Sequence, residues 1–357
     1  MSEALAVRPW TTADRPDWDA FVAGHPGAGT GHLSALIRLG ETLPGVETCS
    51  LLARGPHGEV AGVLPLFLAT SRRLRVVPVR SALSGVLLPA GPLADHRLPP
   101  ERQQAVIEAL LEQARQLAGA RRADRLVVAL PGLTGGRPVL GGAGTSPLLG
   151  YGFHDDLRAG TYLDLQRPAA ELWQGLDPKC RNMIRRAERE GATAAVVSER
   201  SDWLAAAEIS AASEPANRYP GAFFEAAWTE LIEPGHAVPV GVWAGGMLRS
   251  LSLGSLQNGS AYYWFNFSRR PVSPPGVNNL ALWRLIEECR NRGALGFELG
   301  SLDSGPGRQG SIARFKESFG GVPYYAVAGE RALRPLREAA LDLAEQCVAS
   351  LRAWARE

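Results

Sequence analysis

Residues 309–320, Gln-Gly-Ser-Ile-Ala-Arg-Phe-Lys-Glu-Ser-Phe-Gly, follow an apolar run that ends at Gly300 and a turn-rich linker. A second apolar run, Val322–Val327, comes directly after them. This order predicts a short helix that delivers Lys316 beside the end of a buried strand. An ammonium there can meet an anion or a developing negative charge. A lysine without such a setting is a solvated surface residue. A second candidate is Pro178–Glu190, where Cys180, Met183, Ile184 and Ala187 fall on one helical arc. Arg181, Arg185 and Arg189 fall on another, at i, i+4 and i+8. Three guanidiniums on one face suit a phosphate-bearing ligand. The competing reading is a solvated face, with Glu188 and Glu190 neutralising part of it.

The stretch Tyr262-Tyr263-Trp264-Phe265-Asn266-Phe267 holds five aromatics in six residues. Strand alternation puts Tyr263, Phe265 and Phe267 on one face, which needs a helix or a ligand as cover. Core packing accounts for most of them; Tyr263 also carries a hydroxyl that needs a partner. Gly305-Pro-Gly-Arg-Gln-Gly310 matches Gly-x-Gly-x-x-Gly and has Glu330 twenty residues on. A dinucleotide site does not follow. Ser301–Ser304 separates the turn from its strand, and no βαβ series lies upstream. The glycines still permit close approach of backbone N–H groups to an anion. No Gly-x-Ser-x-Gly or Cys–His pair marks a nucleophile, so orientation and charge stabilisation would carry any catalysis. The general base stays unassigned, Glu298 and Asp303 reading as structural.

These residues need a scaffold. With 357 residues the chain is long enough for two domains with real cores. Hydrophobic content of 45% and charged content of 21% are those of a globular protein. A net charge of +2 gives no global attraction to nucleic acid, so an anion site must be local. Cys49, Cys180, Cys289 and Cys347 are far apart and read as lone thiols of a reducing compartment. The histidines are scattered too, and no metal site is expected. Met1–Trp18 lacks the apolar core of a signal peptide, and no run is long enough to span a bilayer. A cytoplasmic protein without an integral membrane segment is expected.

The first half reads as a helix around Trp18 and Phe21, a Gly-rich loop, and a helix over Leu33–Leu43. Strands follow at Glu47–Arg54, Val60–Leu68, Arg75–Val79 and Gly85–Leu88. A helix over 101–118 and a strand over Arg125–Leu130 complete it. The second half has a strand at Thr161–Leu165, helices near 168–175 and 178–190, and a strand at 193–198. Helices near 202–213 and 221–232 precede strands at Val238–Trp243, Met247–Leu256 and Ala261–Phe267, with Asn258-Gly259 as a hairpin turn. A helix over Val277–Asn291, a strand at Leu295–Leu299, the Lys316 helix, the strand Val322–Val327 and a helix over 332–355 close the chain. The expected class is α+β, or mixed α/β, in two similar domains, 1–158 and 159–357.

Taken in order, the motifs resemble the FemAB-like family. They are Lys179-x-Arg-x-x-Ile-Arg-x-Ala to Gly191, the Tyr262-Tyr263 strand, Asn279-x-x-Leu-Trp283, Phe297-Glu-x-Gly300 and Phe315-Lys-x-x-Phe-Gly320. The match covers about 160–328; over 1–150 only element order agrees. This family belongs to the GNAT-like acyltransferases and includes the peptidyltransferases that build peptidoglycan cross-bridges. The resemblance implies two tandem GNAT-like domains, each with a central, mostly antiparallel sheet flanked by helices, and a cleft between them. It implies an N-acyltransferase that forms an amide on an amine acceptor such as a muropeptide precursor. No tightly bound cofactor is implied; the co-substrate is aminoacyl-tRNA or acyl-CoA. The helical hairpin that some members use with tRNA is missing, and the usual acetyl-CoA loop is not evident. Lys316 would stabilise an oxyanion or tRNA-end phosphates, and Phe315 would shape the channel. Arg181 and Arg185 would contact a diphosphate, with Tyr263 and Asn279 at the substrate. The alternative is a non-catalytic GNAT-like protein that binds a phosphorylated ligand.

Overall fold

The computed structural model describes residues 5–74, 76–140, 145–212, 219–302 and 308–354. The first half contains β1 (Ala6–Pro9), α1 (Arg15–Gly24), α2 (Ser34–Glu41), β2 (Val46–Thr48), β3 (Leu51–Arg54) and β4 (Val60–Leu64). It continues with β5 (Phe67–Arg73), β6 (Val77–Ser84), β7 (Leu93–Ala94), α3 (Pro100–Ala120), β8 (Arg125–Ala129), β9 (Leu133–Thr134) and β10 (Arg137–Pro138). The second half opens with β11 (His154–Asp164), α4 (Ala169–Gly175), α5 (Pro178–Arg189), β12 (Thr193–Val196), α6 (Arg200–Ala211) and α7 (Gly221–Ala227). Then come β13 (Ala237–Ala244), β14 (Met247–Gln257), β15 (Ser260–Ser268), α8 (Val277–Asn291), β16 (Gly296–Ser301), α9 (Arg308–Glu317), β17 (Val322–Ala332) and α10 (Pro335–Trp354). Asp303 and residues 305–307 of the Gly305–Gly310 stretch lie outside the described residues, and Arg308–Gly310 open α9.

The architecture is mixed α/β. One sheet of eleven strands runs β12-β13-β14-β15-β16-β11-β17-β8-β6-β5-β2, and a smaller sheet runs β1-β3-β4-β7. The expected strands 47–54 and 60–68 are each broken in two. Ser50 and Pro65 sit at the breaks, where the Ser50 hydroxyl accepts from the Leu66 amide at 3.1 Å. Proline has no N–H to continue a ladder, so β2 and β5 join the large sheet while β3 and β4 join the small one. Gly85–Leu88 is a loop rather than the expected strand. Gly85 has φ +88°, and any side chain on it would collide with the Leu88 carbonyl.

The two halves are continuous through the sheet. Residue 158 falls inside β11, which pairs with β17 from His154 to Tyr162, and β17 pairs onward with β8. Their cores are also shared. Trp18 and Ile37 belong to one apolar cluster with Trp203, Phe223, Phe224 and Phe267. On the other sheet face, α5 and α8 bury Ile184 and Leu285 against Val240, Phe297 and Phe319. Emptying a fully buried aromatic site such as Phe297 costs about 3–5 kcal/mol. Helix α8 begins at Gly276, whose φ of +92° and contact with the Met183 carbonyl leave no room for a Cβ. Helix α9 is short because Gly320 and Gly321, at φ +75° and +106°, turn the chain into β17.

Candidate active site

The site starts from a defect in strand pairing. Strands β15 and β16 run parallel but pair only where Ser260–Tyr262 meet Gly296–Glu298. Beyond Tyr262 they part, leaving a groove of about 580 Å³ between the free flank of β15 and α9. Backbone exposed in such a gap needs polar partners from elsewhere. Lys316 supplies one: its Nζ donates to the Ser301 carbonyl at 2.9 Å. The ammonium is thereby held at the wall of the groove, and Phe315 lines the groove beside it. Phe315 packs edge-on to Phe319 at 5.3 Å, which ties the Phe-Lys pair to the core.

Strand β15 carries a bulge that strict alternation does not anticipate. Leu253 pairs with Phe265, but the next residue, Gly254, pairs with Tyr263, leaving Trp264 as the extra residue. Phe265 and Phe267 therefore turn to the cluster of Trp203, Tyr219 and Phe223, while Tyr263 packs on the α8 side. This corrects the expectation that Tyr263, Phe265 and Phe267 share a face. Tyr263 lines the groove, and burial pushes its phenol above the usual range.

The remaining expected site residues lie away from the groove lining. Arg181 donates to the Gln174 carbonyl at 2.8 Å and to the Leu176 carbonyl, closing the end of α4. Arg185 is exposed and lies over the Trp173 ring at 5.5 Å, and Arg189 is exposed. The arginine stripe thus faces α4 and solvent. Asn279 donates to Cys180 Sγ at 3.4 Å, pinning α8 to α5. Its neighbour Asn278 faces the groove instead and accepts from the Ser250 hydroxyl at 2.8 Å. The buried thiols are passive: burial pushes Cys49 and Cys289 up to about 12. Among the described residues no His, Cys, Asp and Glu group could hold a metal ion.

Glu298, which the sequence reads as structural, lines a second pocket that adjoins the groove at Tyr262. Glu298 sits on β16, is 6% exposed, and accepts a hydrogen bond from the Tyr324 hydroxyl. Burial raises it to about 7, against the opposing pull of the Tyr324 hydrogen bond and the Lys316 charge. It faces a small pocket of about 40 Å³ between the halves, lined also by Thr30, Gly31, Gly132, Ser255 and Tyr262. Tyr262 lines this pocket and the groove alike. The available signal was a glutamate inside the apolar run 294–299, which is costly unless it is partnered or used. Ser255 and Gly132 carried no signal in one dimension.

Residues 178–317 match the family model described as an acetyltransferase (GNAT) domain. Solved structures extend the likeness of fold to more than nine-tenths of the chain. The crystal structure of FemX superposes with a TM-score of 0.64 at 16% identity, covering 94% of this chain and 100% of that one. A tandem GNAT protein from the clavulanic acid biosynthesis pathway gives 0.57 at 17% identity, with 92% and 99% covered. The C-terminal DUF2156 domain of an Agrobacterium fabrum protein, designated a lysylphosphatidylglycerol synthetase, gives 0.56 at 16% identity, with 94% and 96% covered. No curated protein matches the chain by sequence. The chain has the fold of tandem GNAT proteins, and residues 178–317 in its second half carry the match to a GNAT acetyltransferase domain.

Proposed function

We propose that the protein is an N-acyltransferase that moves an acyl or aminoacyl group from a carrier to an amine acceptor, forming an amide. The observation that carries this reading is the Lys316 ammonium, fixed on the Ser301 carbonyl at the point where the parallel strands part. A carbonyl presented there develops negative charge on its oxygen when an amine attacks, and a pre-placed cation lowers that barrier. Phe315 and Tyr263 give the groove its apolar walls and hold the acyl carrier. Arg270 also lines the groove and is the cation suited to a carrier phosphate. Arg181, Arg185 and Asn279 support the helices around the groove from outside it.

The carrier is an aminoacyl-tRNA or an acyl-CoA, and the resemblance makes a muropeptide precursor the acceptor to try first. A purely binding role rests on the lack of a general base near the groove, and Glu298 weakens that alternative. Transfer from acetyl-CoA and from charged tRNA to a panel of amines tests the reading. Lys316→Ala should lower kcat by about 100- to 1,000-fold while the protein stays folded. Wild-type turnover by that variant, or no transfer from either donor, refutes it.

A further inference from the structure

Resting on that reading, we propose that Glu298 takes the proton from the acceptor's ammonium, and that the pocket between the halves seats this amine as the unbranched end of a primary amine. Three observations converge. The pocket is walled by Thr30, Gly31 and Gly132 from the first half and by Ser255, Tyr262 and Glu298 from the second. Ser255 is 1% exposed, and its hydroxyl has no hydrogen-bond partner. A buried hydroxyl left so marks a place where a polar ligand atom or water is due. The space, about 40 Å³, is that of about three waters. A slim –CH2–NH3+ end matches a space of that size better than a branched carbon does.

The second observation is the fit around the carboxylate. A side chain on Gly132 would collide with Glu298 Oε2 and with the Tyr324 hydroxyl, so only bare backbone closes that side. The third is the relation to the groove. The point where a side chain on Gly300 would begin lies 3.2 Å from Lys316 Nζ and 3.2 Å from the Tyr262 hydroxyl. Tyr262 thus stands where pocket and groove meet. An amine reaches this point from the pocket, and a carbonyl reaches it from the groove.

Glu298 is faced by Tyr324 on β17, Lys316 on α9 and Tyr262 on β15, and its strand partner on β11 is Tyr162. Its pKa of about 7 suits a base that works near neutrality. In the step itself the ammonium gives one proton to the carboxylate. The freed lone pair then forms the C–N bond, and the carbonyl electrons move to oxygen opposite Lys316. Collapse breaks the bond from carbon to the carrier's oxygen or sulfur. That leaving atom takes the second N–H proton, and Glu298 returns the first to solvent.

Two measurements test this. Thermal unfolding is followed in slightly alkaline buffer with n-butylamine, tert-butylamine and 1-butanol as probes. Only n-butylamine should stabilise the wild type, and it should not stabilise Glu298→Gln or Ser255→Val. Equal stabilisation by tert-butylamine, or an unchanged response in Glu298→Gln, overturns the pocket. Turnover with the active donor is then followed against pH. Glu298→Gln should lose about 100-fold in kcat with donor KM unchanged, together with the acidic limb near pH 7. Tyr324→Phe should move that limb upward, because a hydrogen bond favouring the carboxylate is gone. An unaltered kcat and pH profile in Glu298→Gln overturns the base while leaving acyl transfer intact. If neither donor is used, acyl transfer fails by itself, and the amine series decides the pocket alone.

Discussion

Gly300→Ala adds a single methyl group and tests the site's geometry more sharply than deletion of a functional group. Gly300 has φ +79°, a region that costs an alanine about 1–2 kcal/mol. The new methyl would lie 3.2 Å from Lys316 Nζ and from the Tyr262 hydroxyl, inside the ordinary contact distance of about 3.5 Å. Both neighbours are side-chain tips that can yield by a few tenths of an ångström. The loss of stability should therefore be the backbone cost alone, about 1–2 kcal/mol in urea unfolding. Activity should fall further than stability implies. A displacement of about 1 Å at a reacting centre costs about 100-fold, so a few tenths should cost about tenfold in kcat. Full activity in Gly300→Ala alongside an inactive Lys316→Ala would show that the ammonium's exact seat is irrelevant. A loss well beyond 3 kcal/mol would show that the neighbours do not yield.

The other predictions concern residues outside the groove. Arg181→Ala should cost about 1–2 kcal/mol, by leaving the carbonyls at the end of α4 without their charged donor, and leave donor KM unchanged. A raised KM in steady-state assays would return Arg181 to the diphosphate role. Asp14 is buried, and the hydrogen bond from Arg8, aided by Thr11 and Arg54, holds it far below the usual carboxylate range. Its folded pKa is depressed, so its contribution is complete above the unfolded value of about 3.9 and fades as pH falls toward the folded one. Asp14→Asn should lose about 2 kcal/mol at neutral pH in urea unfolding. That difference from wild type should shrink below about pH 4, and a gap independent of pH would refute the assignment.

Much of the element order could be read from the chain because its signals are local. Helix α8 shows a helical apolar period, Asn258-Gly259 sets a hairpin, and Gly320-Gly321 ends α9. Errors arose where one residue redirects a whole segment. The single extra residue at Trp264 sends Phe265 and Phe267 to the opposite face from Tyr263. The arginine spacing on α5 predicts a stripe, but periodicity does not say what covers a stripe. Here Trp173 and the carbonyls at the end of α4 do so.

The chain by itself determined the repeated helix-and-strand order, the apolar faces and the delivery of Lys316 beside a strand end, all of which depend on neighbours within a few turns. Only the tertiary structure decided that β15 and β16 part after Tyr262, that Ser255 is left without a partner, and that Gly132 closes on Glu298. The last of these brings together residues more than a hundred positions apart. The protonation of Glu298 depends on the water that this convergence excludes, and no stretch of sequence records that.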